Sequence, residues 1–155
     1  MTDTPESRLQ ALGFTLPAAA APAANYVPFV ISGWQLHIAG QIPYAADGSL
    51  LKGRLGDDLD VAAGVAAAER CAIGLMAQMK AALGDLAMVR RIVKLNVFVA
   101  SAPGFTDQPE VANGASNLMV KVFGDAGRHA RSAVGVAALP RAVAVERDGI
   151  GEISA

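Results

Sequence analysis

Between Leu59 and Leu83, apolar side chains recur at three- and four-residue spacing: Val61, Val65, Ala68, Ala72, Leu75, Met76, Met79, Leu83. That period is one face of an α-helix. Asp57 and Asp58 precede it, where a helix N-terminus favours negative charge, and Gly84 follows as a C-cap. Gly64 and Gly74 weaken the helix locally and suit close approach to a sheet. From Val89 to Val99 the period changes to two. Val93, Leu95, Val97 and Val99 fall on one side, and Ile92, Lys94, Asn96 and Phe98 on the other, which predicts a strand. Its second face mixes apolar and polar groups and suits a subunit interface or a cavity wall.

The remaining pattern is weaker. Thr4-Pro5-Glu6 opens a short helix with Thr4 as N-cap, and Gly13 ends it. Leu16 to Asn25 is rich in alanine and proline and reads as an extended connector. Phe29–Ser32 and Gln35–Ala39 predict two strands around Ser32-Gly33, with Gly40 and Gln41 leaving the second. Pro103 and Pro109 mark a loop over Ala100–Val111. A second helix is expected from Asn113 to Phe123, stopped by Gly124. Two strands close the chain, near Ala133–Ala137 and Ala142–Asp148. The order β-β-α-β-α-β-β predicts an α+β domain with its helices on one face of a mixed sheet. Residues 1–155 form one domain, with 1–15 as an N-terminal extension.

Composition changes this picture in one respect. Of the 155 residues, 53% are hydrophobic and only 17% charged, with mean hydropathy +0.37. The usual charged share is about 25%. Too little polar surface is left for a lone small domain, so burial in a homo-oligomer is expected. Net charge is −1, and the cationic clusters are small, so bulk binding to nucleic acid is disfavoured. Cys71 is the one cysteine, which excludes an intramolecular disulfide. It reads as a buried apolar position. No apolar run reaches the ~18 residues of a membrane span and no signal-peptide pattern opens the chain, so the cytoplasm is the expected location.

Candidate chemistry concentrates near the C-terminus. Gly127-Arg128-His129-Ala130-Arg131-Ser132 precedes one predicted strand, and Glu146 sits within the next. If those strands lie side by side, a guanidinium and a carboxylate face one small cavity. Arg131 has the planar fork that suits a carboxylate; its alternative is a surface arginine. Glu146 shares a face with Ala144 and Asp148. It is either a carboxylate that orients water or part of a solvated face. His129, flanked by cations, is expected to be mostly neutral at pH 7. His37 and His129 are far apart in sequence, a weak metal signal. No P-loop, dinucleotide-binding glycine pattern or Gly-x-Ser-x-Gly elbow is present.

Four segments in order resemble the reactive-intermediate deaminase family, RidA or YjgF, also labelled endoribonuclease L-PSP. They are Pro22 to Val27, ending in Asn25-Tyr26-Val27; Ile38-Ala39-Gly40-Gln41-Ile42-Pro43; Val93 to Val99; and Arg131-Ser132 through Glu146. The resemblance runs from about Pro22 to Ile150. The Gly-Arg-His-Ala-Arg-Ser form is similar to a distinct subgroup.

The resemblance implies a chorismate-mutase-like mixed sheet with two main helices on one face, assembled as a homotrimer with clefts between subunits. It implies hydrolysis of 2-imino or 2-enamino acids to 2-keto acids and ammonia, with no metal or organic cofactor. Carried over, Arg131 clamps the substrate carboxylate, Glu146 holds water and Tyr26 closes the pocket. Gly40 and Ala133 offer backbone contacts, and either Asn117 or Asn113 lines the cleft. Ala39 stands where the family commonly has Ser, Ala133 where many members have Cys, and Arg147 where an apolar residue is usual. Two alternatives stay open: a non-catalytic trimer that binds a small carboxylate metabolite, and RNA cleavage.

Overall fold

In the computed structural model, residues 2–154 are described. Five strands form one sheet: β1 (Phe29–Ser32), β2 (Gln35–Gln41), β3 (Val89–Ala100), β4 (Ala130–Val136) and β5 (Val145–Ile153). Their spatial order is β1-β2-β5-β3-β4. Every pairing is antiparallel except β3 with β4, which is parallel. The parallel step needs a crossover, and α3 (Gln108–Phe123) supplies it. Helix α2 (Val61–Leu83) lies over β2 and β5, and α3 packs beside it over β3 and β4. Both helices cover the same face of the sheet, as the α+β reading expected.

The local signals act as read, with shifts at the ends. Asp60 is the N-cap of α2: its carboxylate accepts from Ala63 N at 2.8 Å, while Gly84 closes the helix with φ 80°. Asp58 instead accepts from Arg54 N. Of the two α2 glycines, only Gly74 approaches the sheet; a Cβ there would lie 3.3 Å from Gln41. Gly64 makes room for Leu55 and for Val111 of α3. The short helix α1 (Pro5–Ala11) carries the expected Thr4 cap as a capping box with Ser7. Glu6 ties it down, accepting from Leu86 N at 2.9 Å and Lys80 Nζ at 3.0 Å.

Four expectations need correction. Helix α3 begins at Gln108, not Asn113, because Pro109 occupies its first turn, where a missing N–H costs nothing. Strand β4 begins at Ala130, so Arg131 lies inside it rather than before it. Strand β5 runs Val145–Ile153 rather than Ala142–Asp148. Gly149 and Gly151 lie inside the strand, and Gly149 packs on Leu95, where a Cβ would come within 2.9 Å of its side chain. In β3 the alternation changes phase at register shifts around Ile92, so Ile92 rather than Val93 is fully buried.

The covered face holds the core. Leu36 and Ile38 of β2, Leu95, Val97 and Val99 of β3, and Val145 of β5 meet Ala68, Cys71, Leu75 and Met79 of α2. Arg147 is buried on this side too, fully enclosed. The opposite face has no helix. Val30 and Val134 are about half exposed there (51% and 47%), alongside Phe98 and Ile150, and Asn96 Nδ2 donates to Asp148 Oδ1 at 2.7 Å.

Candidate active site

Glu146 follows the strand alternation away from the helices, paired with Phe98 of β3. Beside it, the β2–β5 register breaks between Ile38 and Gln41. Gly40 sits in that irregularity, and a Cβ there would collide with Glu146 Oε1. Glycine thus lets the carboxyl group lie directly against the β2 backbone. Among the described residues the Glu146 carboxyl has no hydrogen-bond partner. Burial, and secondarily the charge of Asp148, raise its pKa above the usual glutamate value.

The carboxyl group opens into a cavity of about 800 Å³. Tyr26, Gly40, Gln78 and Arg141 contribute to its walls, together with the connector around Ala20–Ala24. The connector is held there by Gln78, whose Nε2 donates to Ala20 O at 2.9 Å. Tyr26 is 46% exposed at the rim, and its hydroxyl accepts from Ala23 N. The cavity therefore gathers three of the sequence candidates, Tyr26, Gly40 and Glu146.

The other candidates lie elsewhere in the protomer. Strand β3 separates β4 from β5, so the expectation of one shared cavity from adjacent strands does not hold within one chain. Arg131 is paired with buried Leu95 and turns to the helix side. Its Nη1 donates to Asn113 Oδ1 at 2.8 Å and Ser116 Oγ at 3.1 Å, and its Nη2 donates to Pro109 O at 3.3 Å. It remains partly open to solvent. Of the two candidate asparagines, both exposed, Asn113 is the one hydrogen-bonded to Arg131, and neither lines the Glu146 cavity. Ala133 packs against the core beside Val97.

His129 extends this polar chain. Its Nδ1 lies 2.6 Å from Gly127 O, an acceptor, so that nitrogen carries the proton. Nε2 then accepts from Ser116 Oγ at 2.9 Å. Burial lowers the His129 pKa most; Arg147 and Arg131 add to that, against the Gly127 hydrogen bond. The shift favours the neutral form, as expected, but burial outweighs the neighbouring cations as the cause. Arg147 is the anomaly. Its guanidinium is fully buried, and none of its three nitrogens finds an acceptor. Burial lowers its pKa to about 10, and it pushes that of the buried Cys71 thiol up to about 12.

Two residues of the cavity were not singled out from sequence. Gln78 interrupts the apolar run Met76-Ala77-Gln78-Met79 and is only 1% exposed. A lone amide in an apolar helix face was the available signal. Arg141 gave none: it follows Leu139-Pro140 on a turn whose backbone angles no local pattern foretells.

The fold agrees with comparisons to known proteins. Residues 6–145 match the family model described as "YjgF/chorismate mutase-like, putative endoribonuclease". The chain belongs to this family. It is 57% identical over 149 residues to Protein TCP17 of Trypanosoma cruzi, covering 96% of this chain and 93% of that one. A crystal structure of a protein of unknown function from Agrobacterium tumefaciens shares 54% identity and a TM-score of 0.91, with 97% and 92% coverage. The YjgF gene product of E. coli is 27% identical with a TM-score of 0.62, covering 86% of this chain and 92% of that one.

Proposed function

We propose that this protein hydrolyses 2-imino and 2-enamino acids to 2-keto acids and ammonia, at a cleft completed by a second copy of the chain in a homotrimer. The observation that carries the proposal is the Glu146 carboxyl: unpartnered, pressed against Gly40, raised in pKa, and open to a cavity. A group poised this way can accept a proton near neutral pH better than an ordinary surface glutamate.

In the proposed reaction Glu146 takes a proton from water as the water oxygen bonds to the imine carbon. As the C=N bond becomes a C–N single bond, Glu146 hands that proton to nitrogen, giving a neutral carbinolamine. Glu146 then takes the carbinol hydroxyl proton and delivers it to nitrogen; the C–N bond breaks as the C=O bond forms, and ammonia and the 2-keto acid leave. An imine is already electrophilic, so orientation and one positioned water suffice. The residues of this chain need no metal or organic cofactor for these steps.

Arg131 enters from the neighbouring copy. Within one protomer it is turned to the helix side, away from Glu146, yet its guanidinium is partly open and held by Asn113 and Ser116. The uncovered sheet face, with Val30, Phe98, Val134 and Ile150, supplies an apolar contact surface. Low overall charge supports the same assembly. A ring of three copies would place Arg131 of one at the Glu146 cavity of the next, where it would clamp the substrate carboxylate.

One observation favours a second reading, a trimer that binds a carboxylate metabolite without turning it over. Ala39 next to Gly40 offers no hydroxyl to the cavity. Ribonuclease chemistry has less support. Neither histidine lines the cavity, and His129 is committed to Ser116 and Gly127.

The test is imine hydrolysis by purified protein. An amino-acid oxidase generates the imines, and semicarbazide traps what remains. The proposal expects faster imine loss with wild type and none above background with Arg131→Ala or Glu146→Gln. Ligand binding by Glu146→Gln, with no turnover by wild type on any amino acid tried, would support the binding reading instead.

A further inference from the structure

The Glu146 cavity contains a cation of its own. Arg141 lines it from the turn between β4 and β5. Arg141 and Ala142 both have left-handed backbones, φ 58° and 59°. Two successive non-glycine residues in that region are unfavourable and persist only where the surroundings hold them. Here the surroundings do. Ala142 N donates to Leu139 O at 3.1 Å, Val143 N to Pro140 O at 3.3 Å, and Gly53 N to Ala142 O at 3.1 Å. Lys52 bridges Val143 on the other side. The turn is thus clamped in a conformation that presents Arg141 to the cavity.

Arg8 spends its donors on Asp3 and Val122 O, Arg54 on Ser101 O and Ala137 O, and Arg70 on Tyr44 O, whereas Arg147 has no partner and is sealed from solvent. Arg141 makes no hydrogen bond or ion pair among the described residues. It lines a cavity whose other polar side chains are Glu146, Tyr26, Gln41, Tyr44 and Gln78, and none of them is a cation. A guanidinium so placed recognises an anion, bidentately where the anion is a carboxylate.

The cavity's size bears on which anion. A volume of about 800 Å³ lies in the range that holds ligands much larger than a three-carbon imino acid. With Arg131 of the neighbouring copy assigned to the carboxylate beside the imine, Arg141 is a second cation in the same site. We propose that Arg141 binds a distal carboxylate, so that the preferred substrates are 2-imino dicarboxylates, the imines of acidic amino acids. This assignment rests on the imine-hydrolysis reading and names the substrate class for that site.

The experiment compares kcat/KM for 2-imino dicarboxylates, generated by an oxidase acting on acidic amino acids, with that for the imines of alanine and leucine. Wild type, Arg141→Met, Arg141→Lys and Glu146→Gln are measured side by side. Wild type is expected to prefer the dicarboxylates. In Arg141→Met that preference falls about 10–100-fold, mainly through KM, as expected for losing a charged hydrogen-bonding partner. Arg141→Lys retains part of it, and raising the salt concentration erodes it in wild type. Glu146→Gln loses both substrate classes. Two results overturn the assignment while leaving the imine-hydrolysis reading intact: equal wild-type rates on both classes, or an Arg141→Met defect shared equally by both. Wild type inactive on both classes overturns the two together. Unchanged circular dichroism and melting of the Arg141 variants separate a lost contact from a collapsed turn.

Discussion

The two faces of the sheet meet at adjacent residues of β5, Glu146 and Arg147, and treat charge in opposite ways. Glu146 points to the face without helices. It is half-buried, unpartnered and in contact with a cavity. Arg147 points under α2 and α3. It is fully buried, also without a hydrogen-bond partner. An unpaired carboxyl beside an accessible cavity can act on a ligand and change protonation with it. An unpaired guanidinium inside a packed core can do neither. The comparison teaches that an orphaned charge points to function only where something can reach it.

The sharpest way to break this contrast is at Gly40. A methyl group there collides with the Glu146 carboxyl, so Gly40→Ala should displace it and abolish imine hydrolysis. Glu146→Gln should reduce turnover by about 10²–10⁴-fold, the usual contribution of a general base. It should leave thermal stability unchanged or raised, because it removes a charge that burial disfavours. An unaltered rate in both variants would sink the assignment of Glu146.

Next in size are the packing effects. Leu95→Ala on the covered face should lower stability by about 2–5 kcal/mol in chemical denaturation. Val134→Arg on the open face should preserve the circular dichroism spectrum but release monomer in size-exclusion chromatography with light scattering. An Arg at Val134 that left a trimer intact would remove this face from the assembly. Arg147→Met keeps an unbranched apolar stem and removes the orphaned charge. It should raise stability by about 1–4 kcal/mol, as replacing buried ionic groups by apolar ones often does. A fall in the melting temperature instead would mean that the guanidinium has a stabilising partner in the folded protein.

The smallest effects are those of pH. The folded Glu146 pKa lies above its unfolded value. Its contribution to stability is therefore favourable on the acid side and lost as pH rises through the folded pKa. Activity needs the carboxylate and should rise over that same interval, with an inflection above the ordinary glutamate value of about 4.3. His129 acts with the opposite sign. Its folded pKa is depressed, so its stabilisation is present above about 6.5 and lost as pH falls toward the folded value. His129→Gln should flatten melting temperature against pH below that point. An unchanged slope would dissociate the histidine from acid sensitivity.

Much of this was legible in the sequence because it is written locally. The spacing from Val61 to Leu83 and the alternation from Leu95 to Val99 report which side meets the core, and both did so. The proline rule misled at Pro109, which reads equally as a loop residue or the first turn of a helix. The last strand runs past Asp148 because Gly149 packs closely on Leu95, a reason that lies on another strand. Glu146 with Gly40 and Tyr26 was legible as motif, and the fold places the three around one cavity. The separation of Arg131 from Glu146 was not, because it follows from strand order, and nothing local says that β3 runs between β4 and β5. Arg141 was invisible for a related reason: its position is set by a left-handed turn held by Lys52 and Gly53.

The central claim is that the site is divided between two copies of the chain, Arg131 from one and Glu146 from the next. The most direct test mixes two inactive variants. Arg131→Ala and Glu146→Gln are each purified, unfolded or dissociated, combined in equal amounts and reassembled. Some cavities then receive an intact Arg131 from one protomer and an intact Glu146 from its neighbour. Random assembly of a cyclic trimer restores about a quarter of wild-type imine hydrolysis by this count. That recovery, absent when either variant is reassembled alone, is the predicted result. Mixed trimers verified by mass spectrometry that remain inactive, beside wild type that reassembles to full activity, would contradict the shared site.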